Sequence, residues 1–151
     1  MFKHILIPTD GSRHSVAATQ FAVDFARSIN CRITALTVIE PEAAALPAGR
    51  ERWLSSKQAD VALKHVTSVA RAAGVPAATV ILRHADPSAA ILHAASTLNC
   101  DLVIMATRGI TDERRGADGK PVGSQAMRVV AGSPVPVLVF RLPPEAPASP
   151  S

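Results

Sequence analysis

Two short stretches of the sequence concentrate residues able to hold a charged small molecule. The first is Pro8-Thr9-Asp10-Gly11-Ser12, directly behind the apolar run Ile5-Leu6-Ile7. A carboxylate placed there can accept hydrogen bonds from sugar hydroxyls or polarise a metal-bound phosphate. Asp and Ser are also good helix caps, so Asp10 and Ser12 have a structural reading beside the chemical one. The second stretch begins at Met105-Ala106-Thr107-Arg108-Gly109, runs through a polar segment to Val122, and arrives at Gly123-Ser124. Glycine lets a backbone approach a phosphate closely, and the amides at a helix start present partial positive charge to an anion. A third segment, Val38-Ile39-Glu40, offers backbone groups and apolar contact.

Other chemistries are excluded by spacing. Gly119-Lys120 is followed by Pro121 instead of Ser or Thr, and Arg114 occupies the place of the first P-loop glycine. No Gly-x-Gly-x-x-Gly follows the first apolar run, so a dinucleotide fingerprint is missing. His4, His14, His65, His84 and His93 form no metal-ligand spacing. His84 lies near Asp86, but helix capping accounts for that Asp. Ser12 and Ser15 flank His14 without the glycines of a hydrolase elbow. No catalytic residue and no protein metal site is expected.

The elements that must position these stretches are legible in the apolar pattern. Five runs rich in Val, Ile and Leu, at 4–8, 32–39, 78–83, 102–106 and 135–141, read as strands covered on both faces. Between them lie helical patterns. The segment 12–29 carries Ala18, Phe21, Ala22, Phe25 and Ile29 on one stripe. The segment 54–73 carries Ala59, Ala62, Leu63, Val66, Val69, Ala70 and Ala73, and Gly74 and Pro76 stop it. A third helix opens with Asp86 as cap and Pro87 in its first position, carries Ile91, Ala94, Ala95 and Leu98, and closes at Asn99 in a left-handed conformation. A short fourth helix covers 124–130 and ends near Gly132. Strands alternating with helices give βαβ units, a parallel sheet and helices on both faces. The segment 40–52, with two prolines, reads as a surface connection, and Trp53 as an anchor of the second helix or a dimer contact.

Composition bounds the rest. A chain of 151 residues that is 48% hydrophobic and 19% charged can build one domain and bury about 70% of its unfolded surface. No apolar run approaches the roughly 20 residues of a membrane span, and the N-terminal run is too short for a secretory signal; a cytoplasmic location is the expectation. The net charge of +4 is scattered, Arg114-Arg115 being the one adjacent basic pair, and aromatics are 3% of the chain with no Tyr. A nucleic-acid-binding surface is therefore not expected. Cys31 and Cys100 read as small buried hydrophobes. The domain is expected over 1–141, with 142–151 a disordered Pro-rich tail.

Ile5-Leu6-Ile7-Pro8-Thr9-Asp10-Gly11-Ser12, Asp101-Leu102-Val103-Ile104-Met105-Ala106-Thr107-Arg108-Gly109 and Val135-Pro136-Val137-Leu138-Val139 together resemble the universal stress protein family. The likeness extends from about residue 3 to 141, with the three motifs in the family's order. It implies a doubly wound, five-stranded parallel α/β fold of order 3-2-1-4-5, with ligand at the switch point between strands 1 and 4. It implies a homodimer through the fifth, edge strand; Pro136, read as part of that strand, suits an edge. With that order Cys31 and Cys100 stand two strand spacings apart, about 9–10 Å, too far for a disulfide.

The resemblance also implies an adenine-nucleotide ligand: ATP, or ADP or AMP, with Mg²⁺. Pro8, Thr9 and Asp10 match the family segment that contacts the nucleoside, and Val38 the position whose backbone meets adenine. Met105, Ala106 and Arg108 lie within the matching stretch, while Gly109, Gly123 and Ser124 match the second glycine and the closing Gly-Ser pair. In two places the chain departs from the pattern. Ala106 replaces the first glycine, which is tolerated at negative φ and clashes at positive φ. Thirteen residues separate Gly109 from Gly123, where the family has nine. The alternative reading is a member that binds no nucleotide and uses 110–122 as a partner-binding or structural element. Enzymatic action would be at most slow ATP hydrolysis.

Overall fold

A computed structural model describes residues 1–41, 54–107 and 123–142 of the chain. Five strands, β1 (His4–Pro8), β2 (Arg32–Ile39), β3 (Ala77–Arg83), β4 (Leu102–Ala106) and β5 (Val137–Phe140), form one parallel sheet of order β3-β2-β1-β4-β5. Helices α1 (Arg13–Ser28) and α2 (Ser56–Ala72) pack on one face, and α3 (Pro87–Thr97) and α4 (Ser124–Gly132) on the other. The expected α/β class and strand order are both present. The segment 42–53 with Trp53, the segment 108–122 and the tail 143–151 lie outside the described residues.

Alternation of side chains along β1 explains the two-layered core. Ile5 and Ile7 enter the layer beneath α1 and α2, with Ile33, Ala35 and Ile104. Leu6 enters the layer beneath α3 and α4, with Leu36, Val103 and Val129. All three β1 residues have no exposed surface, as a central strand requires. Full burial of one such side chain is worth about 1.5–3 kcal/mol. β3 and β5 differ from the expectation of strands covered on both faces. β3 is mostly exposed and β5 half-buried along its whole length, because each ends the sheet and has a neighbour on one side only.

The helices begin as their cap residues dictate. Ser12 accepts from the Ser15 amide, Ser55 and Gln58 form a reciprocal capping box, and Asp86 accepts from the Ser88 and Ala89 amides. Asn99 closes α3 at φ 53° as expected, and Asn30 follows α1 at φ 58°. Such left-handed residues are rare except for Gly, Asn and Asp. The α1 stripe is rotated from the one expected. Val23 and Ala26 are buried with Ala18 and Ala22, while Phe21 lies at the rim against Phe140 with ring centroids 5.3 Å apart. β5 is shorter than expected, and Pro136 precedes it; the Pro136 carbonyl accepts from the Val103 amide.

The cysteines are free thiols, as expected, and each is buried in a different core layer. Burial pushes the Cys100 thiol up to about 11. At this end of the sheet Asp101 holds the amides of Lys3 and His4, at 2.8 and 3.1 Å. The buried His4 ring shares a 2.7 Å hydrogen bond with Thr34 Oγ1 and lies 3.7 Å from Cys100 Sγ.

Burial first, and Arg32 second, lower the His4 pKa below 6.5 against smaller upward pulls from the Leu98 and Asn99 carbonyls and from Asp101. The unfolded chain therefore binds a proton at higher pH than the folded one. The contribution of neutral His4 to stability is complete above about pH 6.5 and declines as pH falls through the lower folded value. Melting followed by circular dichroism between pH 7.5 and 5 should show a shallower decline for His4→Gln than for the parent chain. Parallel curves would refute the assignment.

Candidate functional site

The carboxyl ends of β1 and β4 lie side by side at the point where the strand order reverses, the place where open α/β sheets receive ligands. Leu6 pairs with Val103, and continuing that register sets Pro8 level with Met105. Around this point the chain gathers most of the residues singled out from sequence.

On the β1 side, Pro8 ends the strand opposite Leu36. Thr9 is buried and bonded three ways: its amide donates to the Leu36 carbonyl (2.8 Å), its carbonyl accepts from Thr37 Oγ1 (3.0 Å), and its own hydroxyl accepts from the Gly11 amide (3.3 Å). Gly11 sits at φ +76°, where an added Cβ would lie 3.4 Å from that of Ala62. The left-handed backbone, not the space, is what calls for glycine there. The turn aims Asp10 back at the helix: Oδ1 accepts from the Ser12 amide at 3.0 Å and the Ser15 hydroxyl at 2.7 Å. Both readings of this segment hold together, since Ser12 caps α1 while Asp10 stands half-buried at the sheet end.

On the β4 side, Met105 and Ala106 are buried and pair with Val139 and Phe140. Ala106 is a strand residue and is not among the described non-glycine residues at positive φ, Asn30 and Asn99. Its methyl therefore causes no backbone strain. Thr107, also buried, makes the junction that follows. Its amide donates to the Phe140 carbonyl (3.0 Å), and its carbonyl accepts from the Gly123 amide (2.7 Å). That second bond starts α4 at the end of β4. Gly123 has no side chain with which to cap α4, and no side-chain cap hydrogen bond is made among the described residues. The amides of the first turn thus offer hydrogen-bond donors and the positive end of the helix dipole.

Val38 lies farther along β2, buried and paired with Leu82. Arg108 and Gly109 fall outside the described residues. Three participants were missed in the sequence. Ser15 had a signal, three residues after the cap Ser12, and Thr107 lay within a motif already quoted. Gln125 had none: its Oε1 accepts from the Ser88 amide of α3 at 3.1 Å, which only the packing of two distant segments creates. The neighbouring Asp86 carboxyl is held below its usual range by the Ser88 hydroxyl, then by the Ala89 and Ser88 amides and Arg128, against some opposing burial. His84 joins the same turn, its Nδ1 accepting from the Asp86 amide at 2.8 Å. Among the described residues no group of three or more His, Cys, Asp or Glu could hold a metal ion, and no helix is long and apolar enough to cross a membrane.

Comparison with known proteins agrees with this architecture. The profile of the Universal stress protein family matches residues 1–141. A Thermus aquaticus universal stress protein encoded beside a sulfhydrylase gene is 34% identical over 93% of this chain and 100% of its own length. One from Methanocaldococcus jannaschii is 32% identical over 95% of this chain and 84% of its own. Among solved structures, a universal stress protein in complex with cAMP superposes with a TM-score of 0.70 at 22% identity, over 93% of this chain and 97% of that one. An Archaeoglobus fulgidus universal stress protein in complex with dAMP gives 0.64 at 17% identity, over 92% and 97%. At those identities the two structures speak for the fold, while the profile and the sequence relatives speak for descent. The chain belongs to the universal stress protein family.

Proposed function

We propose that the protein is an adenine-nucleotide-binding stress-response module of the cytoplasm that acts through ligand-dependent interaction rather than turnover. The observation that carries this reading is the pairing, at one switch point, of a carboxylate turn with a helix start opened by glycine, which no side chain caps among the described residues. Asp10 would accept from ribose hydroxyls, and the β2 backbone at Val38 would meet the base. Gly123 and Ser124 would direct amides at the phosphates, with Arg108 and Gly109 completing that half. The nucleotide complexes of related folds support an adenine nucleotide as ligand. ATP, ADP or AMP, with Mg²⁺ held largely by the phosphates, is the expected form.

The thirteen residues between Gly109 and Gly123 favour a second reading, an interaction module without nucleotide. Four residues beyond the family's nine add only tenths of a kcal/mol to loop closure, because each doubling costs about 0.6 kcal/mol. The longer segment is no thermodynamic obstacle, and we favour the nucleotide reading.

A homodimer through β5 is part of the proposal. β5 pairs with β4 on one side only, and such an edge invites another strand. Met127 and Val130 of α4, a helix that contacts β5, are large apolar residues 56% and 49% exposed.

Calorimetry should give heat on titrating ATP with Mg²⁺, and Asp10→Ala should weaken binding about tenfold, the worth of a charged hydrogen bond. A flat titration with ATP, ADP and AMP at millimolar ligand would remove the nucleotide reading in favour of the second.

Sedimentation at micromolar protein should give a dimer, and Met127→Glu should shift it towards monomer without unfolding. A parent chain that sediments as monomer would count against the β5 interface.

A further inference from the structure

The two margins of the sheet are unequal. β5 has four residues, whereas β3 has seven and pairs with β2 in unbroken register from Ala77 to Arg83. At the ends of that ladder the Pro76 carbonyl accepts from the Ile33 amide, and the His84 amide donates to the Ile39 carbonyl. Successive residues of a strand point their backbone groups to opposite sides, so the even-numbered residues of β3 bond to β2. Ala77, Thr79 and Ile81 therefore turn N–H and C=O to the open side. The strand carries no Pro, no Lys and no bulge, the usual means of blunting an edge. Val80 and Leu82 pack towards the layer of α3 and α4, which leaves Thr79 and Ile81 on the α2 face. There, with Asp60, Leu63, Lys64 and Thr67 of α2, they line a groove of about 440 Å³. Val61 and Ile81 are exposed apolar residues at its rim.

We propose that this edge is a self-complementary interface, at which β3 of one copy pairs antiparallel with β3 of a second copy of this chain. The charge pattern of α2 selects that occupant. Asp60 and Lys64 stand about one helical turn apart on the groove wall, and neither makes an ion pair among the described residues. A two-fold axis normal to the sheet runs α2 antiparallel to its counterpart on the same face. Asp60 of each copy then approaches Lys64 of the other, as an isologous contact requires. Copies related by translation, with strands parallel, would instead set Asp60 against Asp60 and Lys64 against Lys64. A foreign strand without a flanking helix would leave both charges unmatched. Backbone hydrogen bonds hold such an added strand, and its alternate side chains fix the register. β3 and β5 lie at opposite ends of the sheet, so one chain can use both edges and build species larger than a dimer. The inference is independent of the nucleotide reading.

Sedimentation of the full chain from micromolar to millimolar protein tests this. A seam of one strand pair with its flanking side chains falls among small, transient interfaces, with a Kd expected on the order of 0.1 mM. The average mass of the parent should climb with concentration past the β5 dimer proposed above. Thr79→Pro removes a donor that points to the open side and leaves the bonds between β2 and β3 in place; its mass should stop at that dimer. Lys64→Asp should raise the Kd about tenfold, since symmetry doubles the loss of the ion pair and adds repulsion. Adding Asp60→Lys to Lys64→Asp exchanges the two charges and should restore the parent value. A parent that starts as monomer counts against the β5 dimer alone, and a climb to dimer that Thr79→Pro abolishes then still supports the β3 seam. A Thr79→Pro chain that climbs as the parent does overturns the proposal, as does a double variant no better than Lys64→Asp. If Thr79→Pro fails to fold, the charge exchange decides alone. A parent mass that stays constant to millimolar protein also overturns it, and leaves the edge to an extended segment of another protein.

Discussion

The placement of β1 between β2 and β4 is the constraint on which the rest depends. Parallel neighbours cannot be joined by tight turns, so each pairing requires a helix to carry the chain back across a face. With β1 in the centre, successive crossovers go first to one side and then to the other. α1 and α2 fall on one face and α3 and α4 on the opposite one. The reversal sets β1 beside β4, whose crossovers depart to opposite sides, the place where such sheets receive ligands. Three consecutive residues, Ile5, Leu6 and Ile7, anchor this arrangement by feeding both core layers at once.

The two ends of the sheet are finished by different means. At the amino end, Asp101 binds the amides of Lys3 and His4, and the imidazole of His4 is satisfied by Thr34. Donors and acceptors there are matched within the chain. At the carboxyl end the polar groups on the β1 side are also well matched: Thr9 is bonded through amide, carbonyl and hydroxyl, and Asp10 is oriented by Ser12 and Ser15. Such a carboxylate is preorganised, because its rotamer is set before any ligand arrives. The contrast lies at α4, whose start no side chain caps among the described residues.

Much of this was legible in the chain itself. The strands, the Asp86-Pro87 start of α3 and the Asn99 stop rest on local rules of φ, capping and apolar alternation, and those rules operate within a few residues. The misplaced parts depended on neighbours that local pattern does not reveal. Phe21 fitted the helical stripe by spacing, yet it lies at the rim because Phe140 waits there. β3 looked like a buried strand because Val80, Ile81 and Leu82 are apolar, and only its place at the sheet edge exposes it. In the site, Asp10 and Gly123 announced themselves by residue type and position. Gln125 did not, since a glutamine early in a helix is unremarkable until Ser88 is found beside it.

Thr107 gives the architecture a property beyond holding the site. Its peptide is bonded on one side to the last residue of β5 and on the other to the residue that opens α4. The sheet margin and the start of α4 are thus joined through one residue, by two hydrogen bonds of 3.0 and 2.7 Å. The amide of Thr107 holds the margin and its carbonyl seats the helix. A substitution that shifts the backbone at Thr107 therefore bears on the β5 margin and on the start of α4 together.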